Sequence, residues 1–304
     1  MMKKLLFQTI IIVMLFSMVL PSCTNYEKTK VKVDFSDSTL KVSNVENDSL
    51  KPIFVAIASM TSPRETYIYY HNLIDFIGQK IGRPIYIKEK KTYEEVNEML
   101  GKGEVSFAFI CSGAYINAKA KNEVKLLAAP VINHQTYYQA FIITRKNSGI
   151  NTFEDLKGHS FAFTDPISNT GYMYPHKQVR LLEGNKNPFF SKTIYTYGHD
   201  ISIQMVNKGI IDGASVHSLI YQYIARNYPE RIKGIKIIKK SELFGMPPVV
   251  TPLTIKTKCF NRLQNIFLTL DQDTTGKKIL EKLGIEKFVI VNDSIYNNVR
   301  NLTN

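Results

Sequence analysis

Short apolar runs alternate with helical patterns over most of this 304-residue chain. The run at 53–58 is apolar throughout, which is typical of a strand buried on both faces of a sheet. Apolar residues then recur at helical spacing over 67–81, and Gly82 ends that helix. The alternation continues through 85–128. Repeated strand–helix–strand units predict an α/β fold built on a parallel, doubly wound sheet.

A second series of strands and helices begins after Gly149. Its strands are predicted at 160–163, 193–195, 211–216 and 235–238. The proline-rich segment 246–252 is typical of an extended return crossing. We therefore expect two α/β lobes joined by two extended crossings, with a ligand cleft between the lobes.

The N-terminus predicts an export signal. Lys3 and Lys4 precede an apolar run at 5–20, which is shorter than the roughly 20 residues of a membrane-spanning helix. The run ends at Leu20-Pro-Ser-Cys23, which resembles the lipobox of bacterial lipoproteins. The resemblance implies cleavage before Cys23 and a lipid on that cysteine. The alternative is an uncleaved N-terminal anchor, and in both cases the rest of the chain lies outside the cytoplasmic membrane.

The segment at 24–51 is polar and has little apolar periodicity, which favours a flexible tether between the membrane and a folded body. The predicted organisation is a lipoprotein signal peptide at 1–22, a flexible tether at 23–51, a first lobe at 52–145 plus 251–304, and a second lobe at 146–250.

Composition narrows the class of protein. Apolar residues make up 44% and charged residues 21%, which excludes collagen-like, coiled-coil, multi-pass membrane and wholly disordered chains. The net charge of +13 favours anionic partners, but the basic residues are scattered and nucleic acid is not an expected partner. Three cysteines exclude a disulfide framework, and Cys111, within an apolar run, is predicted to be a buried, unreactive thiol.

A cradle for an anion is predicted where strand 160–163 runs into a helix through Ser168, Asn169, Thr170 and Gly171. Backbone N–H groups at a helix start are unpaired, and the helix dipole favours an anion there. The two hydroxyls and the amide add side-chain donors, and glycine allows close approach. The alternative is a plain helix cap formed by Ser168 or Asn169.

His199 lies just before the next predicted helix, where the dipole disfavours a protonated ring but a neutral imidazole can still donate one N–H to an oxyanion. The alternative for an isolated histidine is a cap or a surface position. Tyr93 and Tyr138 are two of 17 tyrosines that could supply phenol donors, and pattern alone does not single them out.

Motifs that would indicate an enzyme are missing from the sequence. There is no His-Glu-x-x-His, no Gly-x-Ser-x-Gly, no P-loop and no Rossmann glycine fingerprint. We therefore expect no catalytic residues, no metal site and no cofactor.

The chain from about 52 to 252 resembles the substrate-binding proteins of ABC importers for phosphate, phosphite and phosphonate. The matching segments are Tyr93, Leu100-Gly-Lys-Gly103 before the strand at 105–109, Tyr138, Thr152-Phe-Glu-Asp-Leu-Lys-Gly158, Asp165-Pro-x-Ser-x-Thr-Gly171-x-x-x-Pro175, Gly198-His199 and Ile211-Asp-Gly-Ala214. The resemblance implies a two-lobe periplasmic-binding-protein-like fold of type II, with two hinge crossings. It also implies an oxyanion held mostly by uncharged donors, here Tyr93, Tyr138, Ser168, Asn169, Thr170 and His199.

Two positions depart from the family pattern. Asn169 stands where the family often has Thr or Ser. Aminophosphonate binders hold the ligand's amine with acidic residues, but Thr251 stands where the crossing acid would align, and 214–219 also lacks an acid. These departures argue against an aminoalkylphosphonate and leave phosphate, phosphite, a simple alkylphosphonate or another ligand open.

The sequence thus predicts a monomeric, lipid-anchored solute-binding protein on the extracytoplasmic face of the cell membrane. Its expected partners are a small anionic ligand, an ABC permease, and the membrane through its lipid. The alternatives are a lipoprotein of the same fold that feeds a sensor, and a surface phosphoester hydrolase.

Overall fold

A six-stranded sheet forms the first lobe, in the order β13-β4-β12-β3-β1-β2. Its strands are β1 (Ile53–Ile57), β2 (Ile85–Lys88), β3 (Phe107–Phe109), β4 (Val124–Val131), β12 (Val249–Pro252) and β13 (Lys287–Val289). Strands β2, β1 and β3 run parallel, as predicted, but β12 is antiparallel to both β3 and β4, and β13 is antiparallel to β4. The predicted parallel arrangement therefore holds for β2, β1 and β3, while the sheet as a whole is mixed, because β12 carries the chain back from the second lobe.

Five helices pack on this sheet, and local sequence explains their limits. They are α1 (Pro63–Ile81), α2 (Tyr93–Gly101), α3 (Ser112–Ala120), α7 (Thr257–Leu268) and α8 (Thr274–Leu283). The capping box predicted for α2 is present, with Thr92 and Glu95 bonded to each other's backbone N–H groups. Gly82 ends α1 in the left-handed conformation that glycine adopts without strain.

A five-stranded sheet forms the second lobe, in the order β10-β6-β9-β7-β8. Its strands are β6 (Ala140–Arg145), β7 (Ser160–Phe163), β8 (Lys192–Tyr195), β9 (Gly213–His217) and β10 (Ile235–Lys240), and its helices are α4 (Tyr174–Glu183), α5 (His199–Asn207) and α6 (Ser218–Asn227). Strand β6, which the predicted boundary at residue 145 left in the first lobe, pairs with β9 and β10 instead. The chain therefore changes sheet before Ala140.

Two extended crossings join the lobes, and they pair with each other. The short strands β5 (Tyr137–Tyr138) and β11 (Phe244–Gly245) form an antiparallel ribbon. The Met246 N–H donates to the Thr136 carbonyl at 2.9 Å and extends the ribbon. Both crossings lie side by side, so a rotation of one lobe would bend them together.

The structure, a computed structural model, describes residues 52–183 and 188–303. The predicted signal peptide at 1–22, the predicted lipidation of Cys23 and the predicted tether at 23–51 lie outside the described residues. Short 3₁₀ helices at Glu154–Leu156, Pro229–Arg231, Leu270–Gln272 and Asp293–Tyr296 and the last helix, α9 (Asn297–Arg300), complete the fold. Within the described ranges, no helix has both the length and the apolarity to cross a bilayer.

The lobes are closed on each other. One apolar cluster contains Ala56 and Cys111 of the first lobe together with Ile142 and Phe161 of the second. Backbone and side-chain hydrogen bonds cross the gap as well: the Ser62 N–H donates to the Asp200 carboxylate at 2.9 Å. Each lobe has a further apolar cluster on the other face of its sheet.

Candidate functional site

Five helical segments begin at the gap between the lobes. Their first residues are Tyr93, Ser112, Asn169, His199 and Ser218, and all five are buried. Helix starts present unpaired N–H groups and the positive end of the helix dipole. The arrangement concentrates hydrogen-bond donors and positive potential at one place without a lysine or an arginine.

The predicted cradle forms one turn of π-helix at Asn169–Met173, directly before α4. Ser168 caps this turn, and its Oγ accepts the Gly171 N–H at 3.0 Å. Gly171 packs against Thr164 so closely that a Cβ would lie 2.4 Å from Thr164 Oγ1, so only glycine fits. The simpler interpretation, a plain cap, therefore accounts for Ser168 but leaves the side chains of Asn169 and Thr170 unexplained.

The first lobe reaches the cradle through Ser112. Gly113, the next residue, lies so close that a Cβ would be 2.3 Å from the Ile167 carbonyl oxygen. The Ser112 and Tyr138 hydroxyls are 2.6 Å apart, and Asn169 Nδ2 donates to both, at 3.2 Å and 3.0 Å. The three side chains join the first lobe, a crossing and the second lobe.

Hydrogen counting fixes the orientation of the Asn169 amide. Three close contacts need three hydrogens, and Nδ2 supplies two while one hydroxyl supplies the third. With the amide reversed, the two hydroxyls would have only two hydrogens for the three contacts, so one contact would bring two acceptors together without a hydrogen. Asn169 Oδ1 is therefore an acceptor, and one hydroxyl hydrogen of Ser112 or Tyr138 is not used among these three side chains.

His199 presents one donor of fixed identity. Its Nδ1 accepts the backbone N–H of His217 at 3.3 Å and lies 2.9 Å from the Thr164 hydroxyl. Complete burial lowers the pKa of His199 to about 3, so the ring is neutral at physiological pH. A neutral ring that accepts at Nδ1 carries its hydrogen on Nε2.

Four of the six predicted ligand-binding residues have a buried polar atom without a hydrogen-bond partner. These atoms are Tyr93 Oη, Asn169 Oδ1, Thr170 Oγ1 and His199 Nε2. Buried polar groups in proteins are nearly always paired, so a group of unpaired ones requires an explanation such as a ligand or ordered water. Among the described residues only ten side-chain atoms are in this state, and four of them belong to the predicted set.

Asp165 is the acidic residue beside the cradle, and its carboxylate is occupied. It accepts the Tyr93 N–H at 3.0 Å across the gap and the Ile167 N–H at 2.9 Å. Burial raises its pKa, although these two hydrogen bonds oppose the shift. Asp165 therefore links the lobes and holds the first turn of α2.

The remaining predictions near the site have mixed outcomes. Cys111 is fully buried, as predicted, and burial raises the pKa of its thiol. Thr251, which stands where the acid of aminophosphonate binders would align, lies in β12 opposite Lys125, and its hydroxyl is another buried group without a partner. In the described ranges, no three His, Cys, Asp or Glu side chains gather as a metal site would need.

Sequence reasoning missed Ser112, Thr164 and His217. Ser112 and Gly113 follow a buried strand and begin a helix. A small polar residue and a glycine occur in the same order at Ser168 and Gly171, where they indicated the cradle. His217 ends β9 and caps α6 by accepting the Leu219 N–H at 3.2 Å. The strand-to-helix junction was the available signal in each case.

Comparison with known proteins identifies a family for this chain. The family model for the periplasmic substrate-binding protein of phosphonate ABC transporters matches residues 55–296. A phosphonates-binding periplasmic protein of Escherichia coli K12 is 26% identical over 155 residues, which are 50% of this chain and 46%, about half, of that protein. The phosphate-import protein PhnD of Mycolicibacterium smegmatis is 21% identical over 224 residues, or 70% of this chain and 69% of that protein.

Solved structures support the same fold. A phosphonate-transporter binding protein of Pseudomonas aeruginosa has a TM-score of 0.76 at 22% identity, covering 83% of this chain and 85% of that one. PhnD1 of Prochlorococcus marinus, solved with methylphosphonate, has a TM-score of 0.75 at 14% identity. The match covers 83% of this chain and 97% of that one. At these identities the likeness shows the two-lobe, type II periplasmic-binding-protein fold. The family match over residues 55–296 shows that the chain belongs to the periplasmic substrate-binding proteins of phosphonate ABC transporters.

Proposed function

We propose that this chain captures a small phosphorus oxyanion in the gap between its lobes and delivers it to an ABC permease. The supporting observation is the set of four buried, unpaired polar atoms on Tyr93, Asn169, Thr170 and His199. The donors come from both lobes, so the ligand's hydrogen bonds would stabilise the closed form, and binding would be coupled to closure.

Uncharged donors can hold such an anion. An anion loses its hydration on burial, and several convergent hydrogen bonds can replace that hydration. His199 Nε2–H and the hydroxyls of Tyr93, Thr170 and either Ser112 or Tyr138 are the side-chain donors available here. The start of the π-turn at Asn169 adds backbone N–H groups.

Asn169 adds a requirement on the ligand's protonation. Its unpaired Oδ1 is an acceptor, and an oxyanion satisfies an acceptor only through a P–OH group. The preferred ligand is therefore a singly protonated phosphorus oxyanion. The names of relatives mention phosphonates, phosphate and phosphite, and one related structure was solved with methylphosphonate. All of these ligands are phosphorus oxyanions.

Lipid anchoring and the membrane partner complete the proposal. The Leu20-Pro-Ser-Cys23 segment supports a lipid on Cys23, which would keep a monomeric binding protein beside its permease on the extracytoplasmic face. Metabolic labelling with a palmitate analogue tests this: label should enter the wild type but not a Cys23→Ala variant. Labelling of both would disprove lipidation at this cysteine.

Calorimetry against phosphate, phosphite, methylphosphonate, 2-aminoethylphosphonate and sulfate tests the ligand class. We expect binding of at least one phosphorus oxyanion without an amine and weak or no binding of sulfate, which is not protonated near neutral pH. Thr170→Ala should weaken that binding at least tenfold, while Thr193→Ala, an exposed hydroxyl in β8, should not. No heat with any phosphorus oxyanion would reject the proposal.

A further inference from the structure

An apolar cavity of about 140 Å³ lies between the lobes. Tyr70 and Phe109 line it from the first lobe, Leu219 and Ile220 from the start of α6, and Met246 from the return crossing. Its walls are almost entirely apolar. Because both lobes and a crossing contribute, the cavity takes its shape only when the lobes are closed.

The cavity shares a wall with the oxyanion site. The His217 ring lines it and stacks on Tyr138, with ring centroids 4.2 Å apart, while the His217 backbone donates to His199. Met60 also lines the cavity, and its carbonyl accepts the His199 N–H at 2.9 Å. Two residues of the cavity wall therefore touch the histidine that presents Nε2–H.

The polar side chains that line the cavity are uncharged. The Thr61 and Thr66 hydroxyls lie 2.9 Å apart and bond to each other. Burial, with a smaller contribution from His199, lowers the pKa of His217 well below its usual value, so the ring is uncharged. Outside the lining, Glu65 Oε1 pairs with Arg231 at 3.3 Å, and Glu65 Oε2 is one of the ten buried atoms without a partner among the described residues.

Size indicates what the cavity would hold. An apolar cavity of about 150 Å³ inside a protein stays dry and binds benzene, so a space of this volume suits a phenyl ring or a short alkyl chain. A charged amine would lose its hydration there without gaining a carboxylate partner from the lining. Apolar groups gain free energy in proportion to the surface they bury.

We propose that this cavity binds the organic substituent of the ligand, so that the chain selects a phosphonate bearing an apolar alkyl or aryl group. The inference rests on the proposed function, because the phosphonate head must occupy the donors at His199 and the cradle. It goes further in naming a substituent site of a defined size and polarity, formed around Tyr70, Phe109, Ile220 and His217.

Calorimetry with a series of phosphonates separates the two proposals. We compare methyl-, propyl-, butyl-, phenyl- and 2-aminoethylphosphonate at one pH. Affinity should rise about fourfold for each added methylene that enters the cavity, and phenylphosphonate should bind at least tenfold tighter than methylphosphonate. Binding of methylphosphonate without any gain along the series would reject the substituent site and keep the proposed function; binding of none would reject both.

Filling the cavity provides an independent check. Ile220→Trp should weaken phenylphosphonate binding at least tenfold more than methylphosphonate binding, because the indole would occupy the substituent's space. Gln222→Trp, on the exposed side of the same helix, is the matched control and should leave both affinities unchanged. Equal losses for both ligands in Ile220→Trp, or tightest binding of 2-aminoethylphosphonate by the wild type, would overturn the inference.

Discussion

The backbone N–H of His217 donates to His199 Nδ1 at 3.3 Å, and this contact decides what His199 can offer a ligand. A backbone amide only donates, so Nδ1 is unprotonated and the hydrogen of the neutral ring is on Nε2. The Nε2 atom is buried and unpaired. The end of β9 thus orients a donor on α5, and two strand-to-helix junctions of the second lobe act together.

Removing the imidazole tests that donor. His199→Ala should weaken oxyanion binding at least tenfold, equivalent to about 1.4 kcal/mol, because one N–H that replaces water around the anion is lost. Calorimetry with methylphosphonate or phosphate measures the change. His134→Ala, at an exposed histidine outside the site, should bind as the wild type does. Equal affinity in His199→Ala would exclude Nε2 as a ligand donor.

Unpaired hydroxyls give a second signature that separates binding from folding. In Thr170→Ala and Tyr93→Phe a buried hydroxyl without a partner is removed, so the ligand-free variants should be as stable as the wild type or more stable, by up to about 1 kcal/mol. Their affinity should fall at least tenfold. Denaturant unfolding without ligand and calorimetry with ligand measure the two effects. A loss of stability greater than 1 kcal/mol in both variants would indicate structural hydroxyls instead.

Buried histidines predict a pH dependence of stability. The folded-state pKa of His199, about 3, is below its unfolded value of roughly 6.5, so the unfolded state binds more protons between these values. The stability is complete above pH 6.5 and is lost as pH falls towards 3, by about 1.4 kcal/mol per pH unit from this residue alone. His217 shifts in the same direction.

Urea unfolding at pH 7.5, 6 and 5 measures this slope. His199→Gln should reduce the slope, since glutamine does not titrate, whereas the exposed His134→Gln should not. A slope that is the same in the wild type and His199→Gln would contradict a neutral, buried imidazole.

Much of this fold could be predicted from the sequence, because its signals are local. The apolar run of β1 and the Thr92–Glu95 box of α2 each depend on residues close together in the chain. The antiparallel direction of β12 could not be predicted from local pattern, because it depends on where the chain returns from a distant lobe. The position of β6 in the second sheet was missed for the same reason: strand partners are chosen by tertiary packing.

The candidate site shows the same division. Ser168 and Thr170 stand out because small polar residues and glycine follow a strand. Ser112 and Thr164 gave a weaker signal, since their roles depend on partners 57 and 35 residues away, Asn169 and His199. The link from His217 to both the oxyanion site and the apolar cavity is a property of the closed lobes and has no local pattern.

Asp165 predicts how closure can be weakened without touching the donors. Asp165→Ala leaves the N–H groups of Tyr93 and Ile167 without their acceptor, and each such loss costs about 1–3 kcal/mol when the group stays buried. The variant should favour an open form. Small-angle scattering should show a larger radius of gyration without ligand, and saturating ligand should restore the wild-type value. Asp75→Ala, at an exposed aspartate, should scatter as the wild type does.

Asn169 predicts a pH dependence of binding that belongs to the ligand. If Oδ1 needs a P–OH donor, only the singly protonated anion binds well, and the apparent Kd should rise about tenfold per pH unit above the ligand's second pKa, roughly 6 for a phosphate monoester. His199 and His217 are already neutral at those pH values. Burial raises the pKa of Tyr93 and Tyr138 well above the usual value, so both phenols stay protonated.

Calorimetry between pH 5 and 9 in the wild type and in Asn169→Ser tests this assignment. A serine hydroxyl can donate or accept, so Asn169→Ser should bind both protonation states and lose most of the pH dependence, while its affinity at pH 5 falls less than its affinity at pH 9 rises. Asp75→Asn, at a surface carboxylate, should keep the wild-type profile. A wild-type Kd that is constant across the ligand's second pKa would mean that Oδ1 does not face a P–OH group, because an unprotonated oxyanion has no hydrogen to give it.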